Sequence, residues 1–405
     1  MISRRKFIRS SFLLGAGLFS SASFGPLIGC SSSCDCIQPV KKRRYVLADI
    51  HNHIVHNDWL RKTPLGVKSP MLADFAQDVF DKTSTTWQTS CEAGINLICT
   101  THFNLFDEWI TMPTDPNPAA PANTLRMMDL LEKDLNGPSS KYAKLIRTPE
   151  DFKNHFNNNY DKNDANYRIA VLHSLEGGYA LGGSLEPLKE FARRGVVLIT
   201  IGHFYNKGIA TAPNAFPFFP DANSLRPHQG LSSFGNEVIS EMEKLGIIVD
   251  VTHVTSTALD DILKVSTKPL IATHISAKTL GDHAYSFHDE HIQEIVNRGG
   301  IIGIPLYPYM LSNYVNIKEA EEYGSLRDVV RTIRYVTKIS SSLKNICIGS
   351  DFGGYIPRLT DMNCLCQIEM LRELLINEFG NEETVDDILA KNVIDFIKTN
   401  WKKNT

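Results

Sequence analysis

What this sequence lacks narrows its class before any motif is read. Only Phe12–Gly29 approaches the ~18 apolar residues of a membrane span, so a multi-span membrane protein is excluded. No glycine-rich nucleotide fingerprint follows the first strand signal, which weighs against a dinucleotide-binding, doubly wound sheet. Eight cysteines are present, but none has the spacing of a four-ligand zinc box. Cys34/Cys36 and Cys364/Cys366 are too close together, and Cys99 and Cys347 fall in apolar strand signals. Basic charge is scarce in the body of the chain. Residues 1–44 hold eight Lys/Arg and one Asp, leaving 34 basic against 44 acidic residues from Tyr45 onward, a net of −10. An acidic body speaks against nucleic acid as a partner. The remaining composition, 42% hydrophobic and 21% charged over 405 residues, is that of a globular chain. The length accommodates two or three domains, or one large α/β barrel.

The N-terminus reads as an address. Ser3-Arg4-Arg5-Lys6-Phe7-Ile8-Arg9 precedes the apolar run and resembles a twin-arginine export signal. Leu27-Ile28-Gly29-Cys30 resembles a lipoprotein cleavage box, with Cys30 as the lipidated first residue. A plain membrane anchor is the alternative, but Gly, Ser and Pro throughout the run disfavour a spanning helix. Residues 1–30 are therefore expected to be a signal peptide, 31–44 a tether and 45–405 the folded body. The expected location is the cell envelope, on the periplasmic or outer-membrane side. Lys41–Arg44 could rest on anionic headgroups, although a solvated linker is the commoner use of such a run.

From Tyr45 onward, short apolar runs alternate with amphipathic stretches. The runs are Tyr45–Ile50, Ile95–Thr100, Arg168–His173, Val196–Ile201, Ile247–Val251, Leu270–Thr273, Gly300–Pro305 and Ile346–Ser350. They are apolar at both parities, as strands buried on both faces of a parallel sheet must be. Helical spacing fills the intervals. Leu185–Arg194 and Asn236–Leu245 each carry an apolar stripe and stop at a glycine, Gly195 and Gly246. This alternation predicts a (β/α)8 TIM barrel, with an open doubly wound sheet as runner-up. Phe103–Tyr167 reads as a long, loop-like insertion after the second strand, and Pro213–Pro227 as a second loop.

Polar residues collect at one end of these strands. His51 and His53 follow the first strand, on one side of an extended chain because the period is two. Glu176 follows the third, and His203, His253 and His274 end the fourth, fifth and sixth. Asp351 follows the eighth. In a barrel these C-terminal strand ends converge on the rim that carries active sites. Singly, each residue has an ordinary explanation, such as a structural histidine or a helix cap. Jointly, imidazoles around a carboxylate suit Zn²⁺ or a similar divalent ion, and a bridging carboxylate suits a pair. His102 points toward the same rim in a packing role. His56, His228, His288 and His291 have no strand-end placement and are expected at the surface.

The motifs Leu175-Glu176-Gly177-Gly178, Gly202-His203-Phe204-Tyr205-Asn206, Gly230-Leu231-Ser232-Ser233-Phe234-Gly235, Val249–Val254, Ala272–Ala277 and Ile348–Gly354, in this order and spacing, resemble the membrane (renal-type) dipeptidase family of the amidohydrolase superfamily. The resemblance implies two divalent ions, most often Zn²⁺, and hydrolysis of small peptides. It places His51, His53 and Glu176 on one ion and Glu176, His253 and His274 on the other. A bridging hydroxide would be the nucleophile, with Asp351 as general base then acid and His203 polarising the scissile carbonyl. A homodimer is compatible with this reading.

Two positions depart from the family pattern. The family's first-strand motif is His-x-Asp, and here it is His51-Asn52-His53, one charge more positive. Eleven residues after the sixth-strand histidine, where the family has an arginine that grips the substrate carboxylate, this chain has Tyr285. Tyrosine donates a hydrogen bond but supplies no bidentate cation. Lys278 and His283 are the candidates for that part, unless the substrate end differs. An amidohydrolase acting on a non-peptide amide, lactone or ester is therefore a second reading, and a non-catalytic barrel lipoprotein a third.

Overall fold

The structure is a computed structural model that describes residues 45–54, 85–104, 107–108, 115–157, 166–213, 230–354 and 356–402. The proposed signal and tether, with Cys30, lie outside the described residues, as do His56, His228 and most of 213–227.

Among the described residues nine parallel strands form one sheet: β1 (Ala48–Asn52), β2 (Leu97–His102), β3 (Ala143–Leu145), β4 (Ile169–Glu176), β5 (Val196–Thr200), β6 (Ile248–Asp250), β7 (Ile271–Ala272), β8 (Ile301–Ile304) and β9 (Ile346–Ile348). The sheet closes at two seams. β1 pairs with β9 through Asp49 and Ile348, and β2 pairs with β4 along Leu97–His102 against Ala170–Leu175. All eight expected runs are barrel strands, and every strand residue except Lys144 and Leu145 of β3 is buried. That double-sided burial is why their sequences show no alternation.

The ninth strand and its flanks differ from the loop-like insertion expected. Ala120–Leu135 and Pro149–Asn157 are helices, with β3 between them. β3 pairs with Ile169–Val171 of β4, below the stretch His173–Glu176 that pairs with β5. Proline at the start of the first helix does not interrupt it, because the first turn has no intrahelical N–H to lose. Its buried stripe is Met127, Met128, Leu131 and Leu135.

The outer helices follow their expected stripes. Glu186–Arg194 buries Leu188 and Phe191 and ends at Gly195, whose φ of 89° only glycine adopts without strain. Ser233–Leu245 begins at Ser232, whose side chain accepts the Gly235 amide, and buries Val238, Ile239 and Met242. Each such buried side chain contributes roughly 2 kcal/mol through water exclusion.

Two glycines set the depth of the sixth barrel strand. A Cβ on Gly303 would lie 1.8 Å from the Thr273 carbonyl oxygen, and one on Gly349 would lie 2.0 Å from it. Only bare backbone permits this approach, which places Thr273 and His274 beside β8 and β9. No helix among the described residues is long and apolar enough to cross a membrane.

Candidate metal centre

Two buried aspartates organise the floor of the site. Asp49 accepts from the Ser350 amide (2.8 Å), the Ser350 hydroxyl (2.5 Å) and Asn52 Nδ2 (2.9 Å), so it joins the end of β1 to the end of β9. Asp250 accepts from the Thr200 hydroxyl (2.5 Å), the Thr252 hydroxyl (2.8 Å), and the Thr273 amide (3.1 Å) and hydroxyl (2.7 Å), which joins β5, β6 and β7. Burial pushes the Asp49 carboxyl above its usual range, against those hydrogen bonds. Both sit shortly before rim residues, Asp49 two positions before His51 and Asp250 three before His253. Their partners are hydroxyls and amides, which orient the strand ends without adding positive charge.

Above this floor the expected rim residues converge. Glu176 Oε1 lies 3.3 Å from His51 Nε2, 3.2 Å from His253 Nε2 and 3.6 Å from His274 Nε2. Its Oε2 lies 3.3 Å from His53 Nε2. Asp351 Oδ1 is 3.5 Å from His53 Nε2 and 3.8 Å from His51 Nε2. The Nε2 atoms of His51 and His53 are 3.2 Å apart, and those of His253 and His274 are 2.9 Å apart. Nε2 is the atom of each of the four rings that faces the carboxylate. His203 Nε2 stands further off, 3.8 Å from Glu176 Oε1. All six expected centre residues are buried, as is His203.

The electrostatics fit a cation at the focus. Burial, then the neighbouring imidazoles of His51 and His253, hold His274 well below its usual pKa, so its ring is neutral. Burial lowers His253 as well. For His53 burial is outweighed by hydrogen bonding to Asp351 and Glu176, which raises it to about 9. Burial would raise Glu176, but the charges of His203 and His51 outweigh it and hold the carboxyl well below its usual value. Imidazole nitrogens facing one another at hydrogen-bond range, around one carboxylate, form a nitrogen–oxygen donor set suited to zinc-like ions. Three overlapping donor triads meet there: His51/His53/Asp351, His51/Glu176/His274 and Glu176/His203/His253. Hydroxyls support the rings from behind. Thr273 Oγ1 lies 3.0 Å from His274 Nδ1 and 3.4 Å from His51 Nδ1, and Thr101 Oγ1 is 3.4 Å from His51 Nδ1.

Backbone strain concentrates at the rim. Among the described non-glycine residues four have positive φ, and His253 (64°) and Asp351 (61°) are two of them. This conformation costs on the order of 1 kcal/mol per L-residue and persists where surrounding contacts impose it. Asp351 is held by its amide, which donates to the His51 carbonyl.

Tyr285 stands in the wall of the site with its ring 4.5 Å from that of His253, edge to face. Its hydroxyl is buried and has no hydrogen-bond partner among the described residues. Neither candidate substitute for the family arginine serves it. Lys278 pairs with Asp282 at 3.3 Å, and His283 Nε2 bonds the Ser312 carbonyl at 2.7 Å. His102 lies outside the cluster, 2.8 Å from His173 Nδ1, and His173 in turn reaches Glu132. His291 is not a surface residue as expected; it is buried and bonded to Asp260 Oδ1 at 2.8 Å. Sequence reasoning missed Asp49 and Asp250, each two or three residues before a rim histidine, and also Glu108. Glu108 is fully buried and bonds His203 Nδ1 at 2.8 Å. Cys364 and Cys366 form a disulfide with each other, away from the centre, while Cys99 and Cys347 are buried and free.

A parallel (β/α)8 barrel with histidines and carboxylates gathered at its C-terminal rim has the architecture of a metal-dependent hydrolase. Residues 119–404 match the family model of membrane dipeptidase, peptidase family M19, and the chain belongs to that family. Curated relatives include an uncharacterized dipeptidase of Schizosaccharomyces pombe, 27% identical over 59% of this chain and 54% of the relative. The dipeptidase tcpJ of Claviceps purpurea is 28% identical over 56% of this chain and 50% of its own. The chain thus spans about half the length of the curated relatives it matches. Solved structures share the fold. A dipeptidase of family M19 superposes with a TM-score of 0.72 at 17% identity, covering 89% of this chain and 99% of its own. A Rhodobacter sphaeroides metallopeptidase bound to a phosphinate mimic of L-Ala-D-Ala gives 0.69 at 17%, over 88% and 99%.

Proposed function

We propose that this protein is a binuclear metal-dependent dipeptidase, exported by the twin-arginine route and held at the cell envelope by lipid on Cys30. The observation that carries the catalytic part is Glu176, a single buried carboxylate faced by the Nε2 atoms of His51, His53, His253 and His274. His51, His53 and Glu176 would hold one ion, and Glu176, His253 and His274 the other, with Zn²⁺ the best match to this donor set. Bound divalent ions supply Lewis acidity that polarises a carbonyl and acidifies water. Asp351 is placed beside His53 to accept the proton that water loses and return it to the leaving amine. His203, its Nε2 3.8 Å from Glu176 Oε1, would donate from the doubly protonated ring toward the carbonyl oxygen as charge develops on it. The Phe103 and Phe204 rings against His203 shield that side from solvent.

The export and anchoring part is supported by the Arg4-Arg5 and Leu27–Cys30 motifs. Tyr285 favours a second reading of the same site. A buried hydroxyl with no partner among the described residues, beside His253, offers a neutral donor to the substrate, which suits a non-peptide amide, lactone or ester as well as a carboxylate.

Metal analysis of residues 31–405, paired with a substrate panel, tests both readings. About two zinc-like ions per chain are expected, with turnover of dipeptides carrying free carboxylates. Turnover confined to non-peptide amides, lactones or esters selects the second reading. Full metal occupancy with no turnover of any substrate overturns the enzymatic proposal.

A further inference from the structure

Glu108 belongs to the insertion between β2 and β4, not to a barrel strand, yet it reaches the rim. Its carboxylate is fully buried and splits its two oxygens between neighbouring groups of the loop after β5. Oε2 lies 2.8 Å from His203 Nδ1, and Oε1 accepts the Tyr205 amide at 2.9 Å. The backbone that presents it is pinned. Asp107 accepts from the side chains of Asn104 (2.7 Å), Asn117 (3.2 Å) and Asn123 (2.8 Å), and the Asn104 amide donates to the Tyr179 hydroxyl at 2.5 Å. Phe103 packs edge-on against the His203 ring, with centroids 4.6 Å apart. His203 is therefore held from behind, while its other nitrogen faces Glu176 at 3.8 Å.

We infer that Glu108 is a positioning residue: by accepting the His203 Nδ1 proton and the Tyr205 amide together, it fixes the ring plane of His203, keeps Nδ1 protonated and aims Nε2 at the centre. An ionised carboxylate accepts only, so the shared proton belongs to Nδ1. That leaves Nε2 as the group presented to substrate. A glutamine at 108 retains one accepting oxygen and so can satisfy His203 or Tyr205 but not both. An alanine satisfies neither.

The kinetic part of the test rests on the dipeptidase reading, and the spectroscopic part does not. In metal-loaded full chain with ¹⁵N-labelled histidine, the wild type should show a protected His203 Nδ1–H resonance, assigned by its loss in His203→Asn. Glu108→Gln should shift or broaden that resonance and lower kcat about tenfold with KM within twofold, at unchanged metal content. Glu108→Ala should abolish the resonance, and the glutamine variant covers the case in which alanine does not fold. An unchanged resonance in Glu108→Gln overturns the inference. So does a loss of metal in step with the loss of the resonance, since Glu108 would then support the whole centre. If the wild type hydrolyses no peptide, the dipeptidase reading fails and the resonance alone decides this one.

Discussion

At the scale of single residues, the proposed function separates groups that bind from one that moves a proton. Asp351 sits at the edge of the cluster, with strained backbone and one oxygen 3.5 Å from His53. Its side chain keeps 11% exposure against 0–1% for His51, His53 and His274, which gives a proton a route to solvent. Asp351→Asn should therefore lower kcat by about 10²–10⁴ while metal content stays at the wild-type level. Stopped-time assays paired with metal analysis check this; loss of metal in the variant would make Asp351 a binding group instead. Residue by residue, the rim was legible because its histidines and carboxylates stand at strand ends. Glu108 was not legible, because the contact that matters joins positions 95 residues apart through an insertion with no strand register to place it.

Elements explain how the insertion is fastened to the barrel. Glu132, on helix Ala120–Leu135, accepts from His173 of β4 (3.3 Å) and from Arg194 (2.5 Å), and also pairs with Arg147. Burial alone would raise its pKa, but hydrogen bonds from His173 and Arg194, with the arginine charge, hold it down to about 2. A carboxylate lowered on folding stabilises above its ordinary pKa and loses that contribution as pH falls toward the folded value. Glu132→Gln should cost about 2 kcal/mol at pH 7, discounted for its partial exposure, and the difference should vanish between pH 5 and 2. Urea titrations of both proteins across that range are the measurement. A difference independent of pH would assign the loss to packing. The sequence announced the eight barrel strands through runs of apolar residues buried on both faces. It did not announce β3, whose Ala143-Lys144-Leu145 is too short and too mixed to signal a strand. The helix Ala120–Leu135 was masked by prolines and asparagines that lie before or within its first turn, where they do no harm.

Across the whole molecule, the centre gathers its donors from β1, β4, β6 and β7, with Asp351 following β9, and so spans both seams of the barrel. Cations bound there stabilise the folded chain by mass action. Chelation should lower the unfolding midpoint by about 5–10 °C, reversed by adding Zn²⁺, as read by circular dichroism. An unchanged midpoint would mean that the proposed ligands hold no ion. The acidic body also matters at this scale, because a net of −10 beyond residue 44 draws divalent cations rather than polyanions.

The seam between β1 and β9 bears on how the molecule comes into being. His51 and Asp351 are 300 residues apart, and the Asp351 amide binds the His51 carbonyl directly. Asp49 waits on Ser350 for two of its hydrogen bonds. During synthesis the first histidines therefore emerge long before the strand that orients them. The β1 end that carries the first two histidines is fixed only once β9 is made, so metal loading and barrel closure should fall together late in folding.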